Sequence, residues 1–188
     1  MPFEGLGLHA QLIKAVHELG YTRPSPIQAE AIPPALKGRD IIGISQTGTG
    51  KTASFLLPML HRMITLPALG GRGVTRGLVL APTRELAVQA DGQLRHLAKH
   101  AGIRSVAIYG GAGMEPQTRA LRQGVEIILA TPGRLLDHLK RKNARLQQVE
   151  FFVLDEADRM LDMGFLPAIR TVVAALPQKR QTMLFSAT

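Results

Sequence analysis

Cysteine is absent from all 188 residues, which excludes disulfides and thiolate metal sites. That fits a reducing compartment, and a cytoplasmic location is expected. Long apolar runs are missing as well. No stretch approaches the roughly 18 consecutive apolar residues of a membrane-spanning helix, so no membrane association is expected. The opening Met1-Pro2-Phe3-Glu4 lacks the basic start and apolar run of a secretory signal, and there is no internal repeat. Acidic residues are scarce: 14 Asp and Glu face 23 Lys and Arg, for a net charge of +9. A domain this basic attracts polyanions, because each neutralised phosphate releases condensed counterions. Evenly spread compositional bias would give the same net charge, so charge alone does not decide between these readings. A composition 45% hydrophobic and 20% charged fits one globular domain with a single sizeable core.

Short apolar runs alternate with helix-patterned segments from Asp40 onward. Strands are predicted at Asp40–Ser45, Gly77–Pro82, Arg104–Gly110, Glu126–Thr131, Val149–Asp155 and Gln181–Thr188. Their near-continuous Ile, Val, Leu and Phe content predicts strands buried on both faces. Helices are predicted at Lys51–Ile64, Arg84–His100, Gln117–Arg122, Gly133–Lys142 and Phe165–Ala175. The alternation predicts a doubly wound α/β domain, a mostly parallel sheet with helices on both faces, whose ligands sit at the carboxyl ends of the strands. Before it, Leu8–Leu19 has one apolar helical face. Ser25-Pro26 then reads as an N-cap with proline at the first helical position, opening a helix expected to end near Pro33-Pro34. Leu66–Arg76, with three glycines, reads as a mobile surface loop.

Two segments carry chemistry. Gln46-Thr47-Gly48-Thr49-Gly50-Lys51-Thr52 follows a predicted strand and opens a helix. The glycines let successive N–H groups converge on one anion, and the helix N-terminus adds partial positive charge. Lys51 is then placed to reach the β- and γ-phosphates, and the Thr52 hydroxyl to ligate Mg²⁺. Ser45 stands where the pattern usually has glycine or alanine. The second segment, Asp155-Glu156-Ala157-Asp158, leaves a predicted strand. Asp155 is expected to hold Mg²⁺ through water, Glu156 to polarise an attacking water, and Asp158 to orient a neighbour.

With these motifs in view, the chain resembles the DEAD-box RNA helicases from Phe3 to Thr188. Gly20–Gln28 looks like the family's adenine-reading segment, with Phe3 as its upstream aromatic, so residues 1–38 are expected to pack on the domain as an adenine-recognition extension. The resemblance implies a RecA-like domain using ATP and Mg²⁺, with Tyr21 on the base, Arg23 flanking it, and Ser25 and Gln28 in the nucleotide site. A Gln amide offers one donor and one acceptor, which matches adenine and discriminates against guanine by about 1–3 kcal/mol. The plainer alternative is an exposed polar residue on the helix that Pro26 opens. Pro82-Thr83-Arg84, Gly110-Gly111 and Thr131-Pro132-Gly133-Arg134 look like RNA-contact motifs. Ser186-Ala187-Thr188, together with Asp158, looks like the segment that couples hydrolysis to strand separation.

Arg84 and Arg134 fall in or near first helical turns, where N-terminal amides favour phosphate. Such contacts fix a strand but read no bases, so sequence-tolerant RNA binding is expected, with RNA told from DNA by its 2′-OH. The plainer alternative pairs these arginines with Glu85 or Asp137. Lys140-Arg141-Lys142 and Arg145 read as a solvated helix end. His96 and His100 share a predicted helix face without the Glu of a zinc-protease motif. A second, C-terminal RecA-like domain supplying an arginine finger is implied by the resemblance and absent from this chain. The chain alone is therefore expected to be a monomer that binds adenine nucleotide with negligible turnover. A nucleotide-gated RNA clamp is the alternative reading, and a DNA translocase a third.

Overall fold

A computed structural model describes residues 2–188. A 3₁₀ turn at Phe3–Leu6 leads into α1 (Ala10–Glu18), α2 (Pro26–Leu36), β1 (Ile41–Ile44) and α3 (Lys51–Thr65). β2 (Gly77–Leu80), α4 (Arg84–Leu97), β3 (Ser105–Ile108), α5 (Met114–Gln123) and β4 (Ile127–Ala130) follow. The chain continues through α6 (Pro132–Lys140), β5 (Phe151–Leu154), α7 (Ala157–Asp162), α8 (Leu166–Ala174) and β6 (Gln181–Ser186). The six strands form one sheet in the order β1-β6-β5-β2-β4-β3. Every pair is parallel, not merely most of them.

Alternate strand residues serve opposite faces. Val79, Ile127, Leu129, Phe151, Val153, Met183 and Phe185 join one apolar cluster with the inner faces of α1 to α4. Leu78, Leu80, Ile108, Ile128, Ala130 and Phe152 join another with α5 to α8. The central strands β2 and β4 are buried at every position, which is why they read as unbroken apolar runs. β1 lies at the sheet edge, and Ile42 is 77% exposed there. No helix among the described residues is long and apolar enough to cross a membrane.

Several boundaries differ from the sequence expectations. α2 runs through Pro33 and Pro34 to Leu36. The carbonyls that lose their partners belong to Ala29 and Glu30, which are exposed, so water can satisfy them and the helix tolerates the rings. α4 stops at Leu97, so His100 lies past the helix and pairs with Glu18 instead of sharing a face with His96. The glycine-bearing loop ends on a fixed point. Arg76 is buried, ion-paired to Glu150, and donates to the Met63 and Leu66 carbonyls. α7 was not anticipated, because six residues are too few to show a helical period.

Candidate functional site

All six strands run the same way, so their carboxyl ends form one rim. Following the strand order, this rim carries residues 45–52 after β1, 186–188 at the end of β6, 155–158 after β5, 82–84 after β2, 131–134 after β4 and 109–111 after β3. The segments read from sequence as phosphate, acid, RNA-contact and coupling motifs therefore all reach one edge of the molecule. β5 and β2 are neighbours, and the Asp155 N–H donates to the Leu80 carbonyl at 2.9 Å.

At the first end of the rim, Gln46, Thr47 and Gly48 are exposed, and Thr49, Gly50 and Thr52 are partly so. Gly50 precedes α3 with φ +90°, a left-handed conformation, and a Cβ there would meet Gln28 Nε2 at 2.4 Å. Only glycine fits both demands. The loop holds itself: Thr49 Oγ1 donates to the Gln46 carbonyl at 2.7 Å and contacts Ser45 Oγ. The departure at Ser45 thus supplies a hydroxyl to the loop. Lys51 is 6% exposed, and its Nζ donates to the Ser45 carbonyl at 2.6 Å. The ammonium occupies the loop's own acceptor, 3.7 Å from Glu156 Oε1. The loop after β1 and the acids after β5 therefore meet.

Asp155 is 5% exposed, and its Oδ1 has no hydrogen-bond partner among the described residues. Burial first, then the neighbouring Glu156 carboxylate, push its pKa up to about 6, with Lys51 opposing. Glu156 sits at φ +54°, left-handed for a non-glycine residue, a conformation that costs energy and tends to mark functional turns. No three His, Cys, Asp or Glu side chains cluster into a metal cage among the described residues. A buried, unpartnered carboxylate oxygen does fit a hydrated cation that draws its remaining ligands from phosphate, water and the Thr52 hydroxyl, as Mg²⁺ prefers. Asp158 Oδ2 accepts from Thr188 Oγ1 at 3.0 Å. Burial raises the Asp158 pKa, but bonds from Thr188, Ser186 and the backbone outweigh it and hold the carboxyl below its ordinary value.

Gln28 is buried rather than exposed. Its Oε1 accepts from the Ser25 N–H at 2.9 Å and its Nε2 donates to the Gly50 carbonyl at 3.1 Å. Among the described residues, one lone pair and one N–H of the amide stay unused. Gln28 thus ties the N-terminal extension to the loop after β1. Tyr21 is half-buried, its ring stacked on Phe3 with centroids 6.4 Å apart, and its hydroxyl meets Gln93 Nε2 at 3.3 Å. Phe3 is 1% exposed and lies in the core, with Tyr21 packed against it. Arg23 is exposed.

Toward the far end of the rim, Thr83 caps α4 by accepting from the Leu86 N–H. Arg84 opens that helix, exposed, with its guanidinium 4.9 Å from the Tyr109 ring centroid. Thr131 precedes α6, Pro132 is buried at its first position, and Gly133 is exposed. Gly110 and Gly111 are exposed, Gly111 at φ +76°. Arg134 Nη1 donates to the Ala112 carbonyl at 3.0 Å and to Gln117 Oε1 at 3.4 Å. Among the described residues, neither arginine pairs with a carboxylate. Pairing with Glu85 or Asp137 is therefore not what holds them. Sequence reasoning missed Tyr109, Gln117 and His138, which link these segments. A buried polar residue inside a helical pattern looks like a surface one until its partners are known.

The sequence model of the DEAD/DEAH box helicase family matches residues 25–188. The chain is 51% identical over 186 residues to DEAD-box ATP-dependent RNA helicase 30 of Arabidopsis thaliana, covering 99% of this chain and 32% of that protein. It is 52% identical over 187 residues to ATP-dependent RNA helicase DeaD of Escherichia coli K12, covering 99% and 29%. It is 50% identical over 186 residues to DEAD-box ATP-dependent RNA helicase CshA of Bacillus cereus, covering 99% and 34%. The chain thus spans about a third of the length of these curated relatives.

Proposed function

Since the chain belongs to the DEAD/DEAH box helicase family, we propose that it is the RecA-like ATP-binding half of an ATP-dependent RNA helicase. On this reading it grips Mg·ATP at one end of the sheet rim and single-stranded RNA at the other. The observation that carries the reading is the approach of Lys51 Nζ to within 3.7 Å of Glu156, beside the buried, unpartnered Asp155. A phosphate loop and a pair of acids are what phosphoryl transfer to water requires.

Gln28 reads adenine with the unused half of its amide, Tyr21 offers its ring to the base, and Arg23 and Ser25 flank it. Lys51 leaves the Ser45 carbonyl and neutralises the β- and γ-phosphates, joined by the N–H groups of residues 46–52. Thr52 and, through water, Asp155 would hold Mg²⁺, which would supply positive charge to offset what builds up on the phosphates. Glu156 orients the attacking water and accepts its proton. Asp158 and the Ser186–Thr188 segment report the nucleotide state to the rest of the molecule. The RNA backbone lies across residues 82–84, 110–111 and 131–134, read by position and by 2′-OH groups rather than by base. A second RecA-like domain in the full-length protein completes the site with an arginine finger, worth about 10³–10⁵ in rate.

RNA-stimulated ATP hydrolysis by the full-length protein tests this. Glu156→Gln should leave ATP binding intact and reduce turnover by about 10²–10⁴-fold, while Lys51→Ala and Gln28→Ala weaken nucleotide binding. Strand separation that survived Glu156→Gln would replace the helicase reading with that of a clamp.

A further inference from the structure

Two of the proposed RNA-contact segments are fastened to one another by a side chain that belongs to neither. Gln117, 6% exposed on α5, donates from Nε2 to the Tyr109 carbonyl at 2.9 Å. Its Oε1 accepts from Arg134 Nη1 at 3.4 Å and from His138 Nε2 at 3.1 Å. The amide orientation is unambiguous, because a flipped amide would set an NH₂ against a guanidinium and a carbonyl against a carbonyl. His138 is fully buried, and its Nδ1 meets Asn143 Nδ2 at 3.3 Å. With the amide NH₂ donating to Nδ1, Nε2 carries the hydrogen that reaches Gln117, and burial holds the imidazole pKa below its ordinary value. Asn143 is braced in turn on Thr118 at 3.2 Å.

Two consequences follow for the rim. Among the described residues, Arg134 is anchored through Nη1 alone, to Ala112 and Gln117, while its Nε and Nη2 make no hydrogen bond. Those two nitrogens form the side of the guanidinium fork that takes a phosphate in bidentate fashion. The same glutamine also fixes the backbone of Tyr109, whose ring carries Arg84 and which directly precedes Gly110 and Gly111. We propose that Gln117, oriented by His138, is a positioning residue for RNA. It presets Arg134 and the 109–112 loop, and through the Tyr109 ring Arg84, for the phosphate backbone. This rests on the RNA reading of the rim given above.

The test is fluorescence anisotropy of a labelled oligouridylate with the full-length protein and a non-hydrolysable ATP analogue, over a salt series. Gln117→Met keeps the volume and removes all three bonds. RNA affinity should fall about tenfold, and the slope of log K against log salt should shrink by about 0.7, one phosphate's worth. Adenine nucleotide affinity should not change. Gln117→Glu, which draws Arg134 inward as an ion pair, should give the same loss and guards against a Met variant that folds poorly. Added to Arg134→Ala, Gln117→Met should weaken RNA by clearly less than it does alone, since part of its effect runs through the missing arginine. Unchanged RNA affinity in both glutamine variants, or full additivity with Arg134→Ala, would overturn the positioning role. If Arg134→Ala itself left RNA binding untouched, the RNA reading of this rim would be what fails.

Discussion

Asp155→Asn should make the nucleotide-free, metal-free protein more stable at alkaline pH. The carboxyl lies buried with one oxygen unpartnered and a second carboxylate next to it, so ionising it in the folded chain is unfavourable. Its pKa rises from 3.8 to about 6 on folding, a change of about two units, and at about 1.4 kcal/mol per unit this amounts to roughly 3 kcal/mol. The folded state binds this proton more tightly than the unfolded state does. The stabilisation is therefore present below about pH 4 and is lost as pH rises through about 6. Asparagine cannot ionise but brings an amide that needs its own acceptor, so a gain of about 1–3 kcal/mol at pH 8.5 is expected, or several degrees in Tm. At pH 5, between the two pKa values, the unfolded carboxyl is already ionised and about half of the loss has set in, so the variant's advantage should be smaller than at pH 8.5 by about 1.4 kcal/mol. The assay is thermal unfolding in chelator at both pH values, repeated with ATP and Mg²⁺, where wild type should gain stability and the variant lose most of that gain. A variant less stable than wild type at pH 8.5, or a difference equal at both pH values, would refute the placement of an uncompensated charge there.

Gly50→Ala forces a Cβ to within 2.4 Å of Gln28 Nε2 at φ +90°. It should cost about 1–2 kcal/mol in backbone strain alone, seen in urea unfolding, and should weaken adenine nucleotide binding in calorimetry. Arg76→Met strands Glu150 and the Met63 and Leu66 carbonyls. A loss of about 2–4 kcal/mol is expected, with nucleotide affinity per folded molecule unchanged. Thr188→Val removes the hydroxyl that donates to Asp158. In the full-length protein it should leave ATP binding intact while lowering unwinding per ATP hydrolysed, a ratio read by running both assays on one sample.

Much of this was legible in the sequence because the sheet is parallel and covered on both faces. Unbroken runs such as Gly77–Leu80 and Phe151–Leu154 announce strands, and the residues directly after them must lie at one rim. The meeting of the loop after β1 with the acids after β5 was legible for the same reason. What stayed hidden were facts about partners. Nothing in the pattern of α5 marks Gln117 as buried, since Gln117 and the exposed Arg119 look alike as polar helix residues. Phe3 reads as a free aromatic until Tyr21 is seen stacked on it. The left-handed turn at Glu156 is not one that a glutamate predicts, because its cause lies in the surrounding fold. Tandem prolines usually end a helix, and here exposed carbonyls at Ala29 and Glu30 let it continue.

The peptide bond between Leu154 and Asp155 leans on Leu80, where the Asp155 N–H meets the Leu80 carbonyl. Neighbouring strands lie about 4.8 Å apart, so on the proposed reading the acids after β5 and the first RNA-contact segment after β2 stand one strand-width apart in the middle of the sheet. Changing the number of residues between Leu80 and Arg84 would throw that registration out while leaving both grips chemically whole.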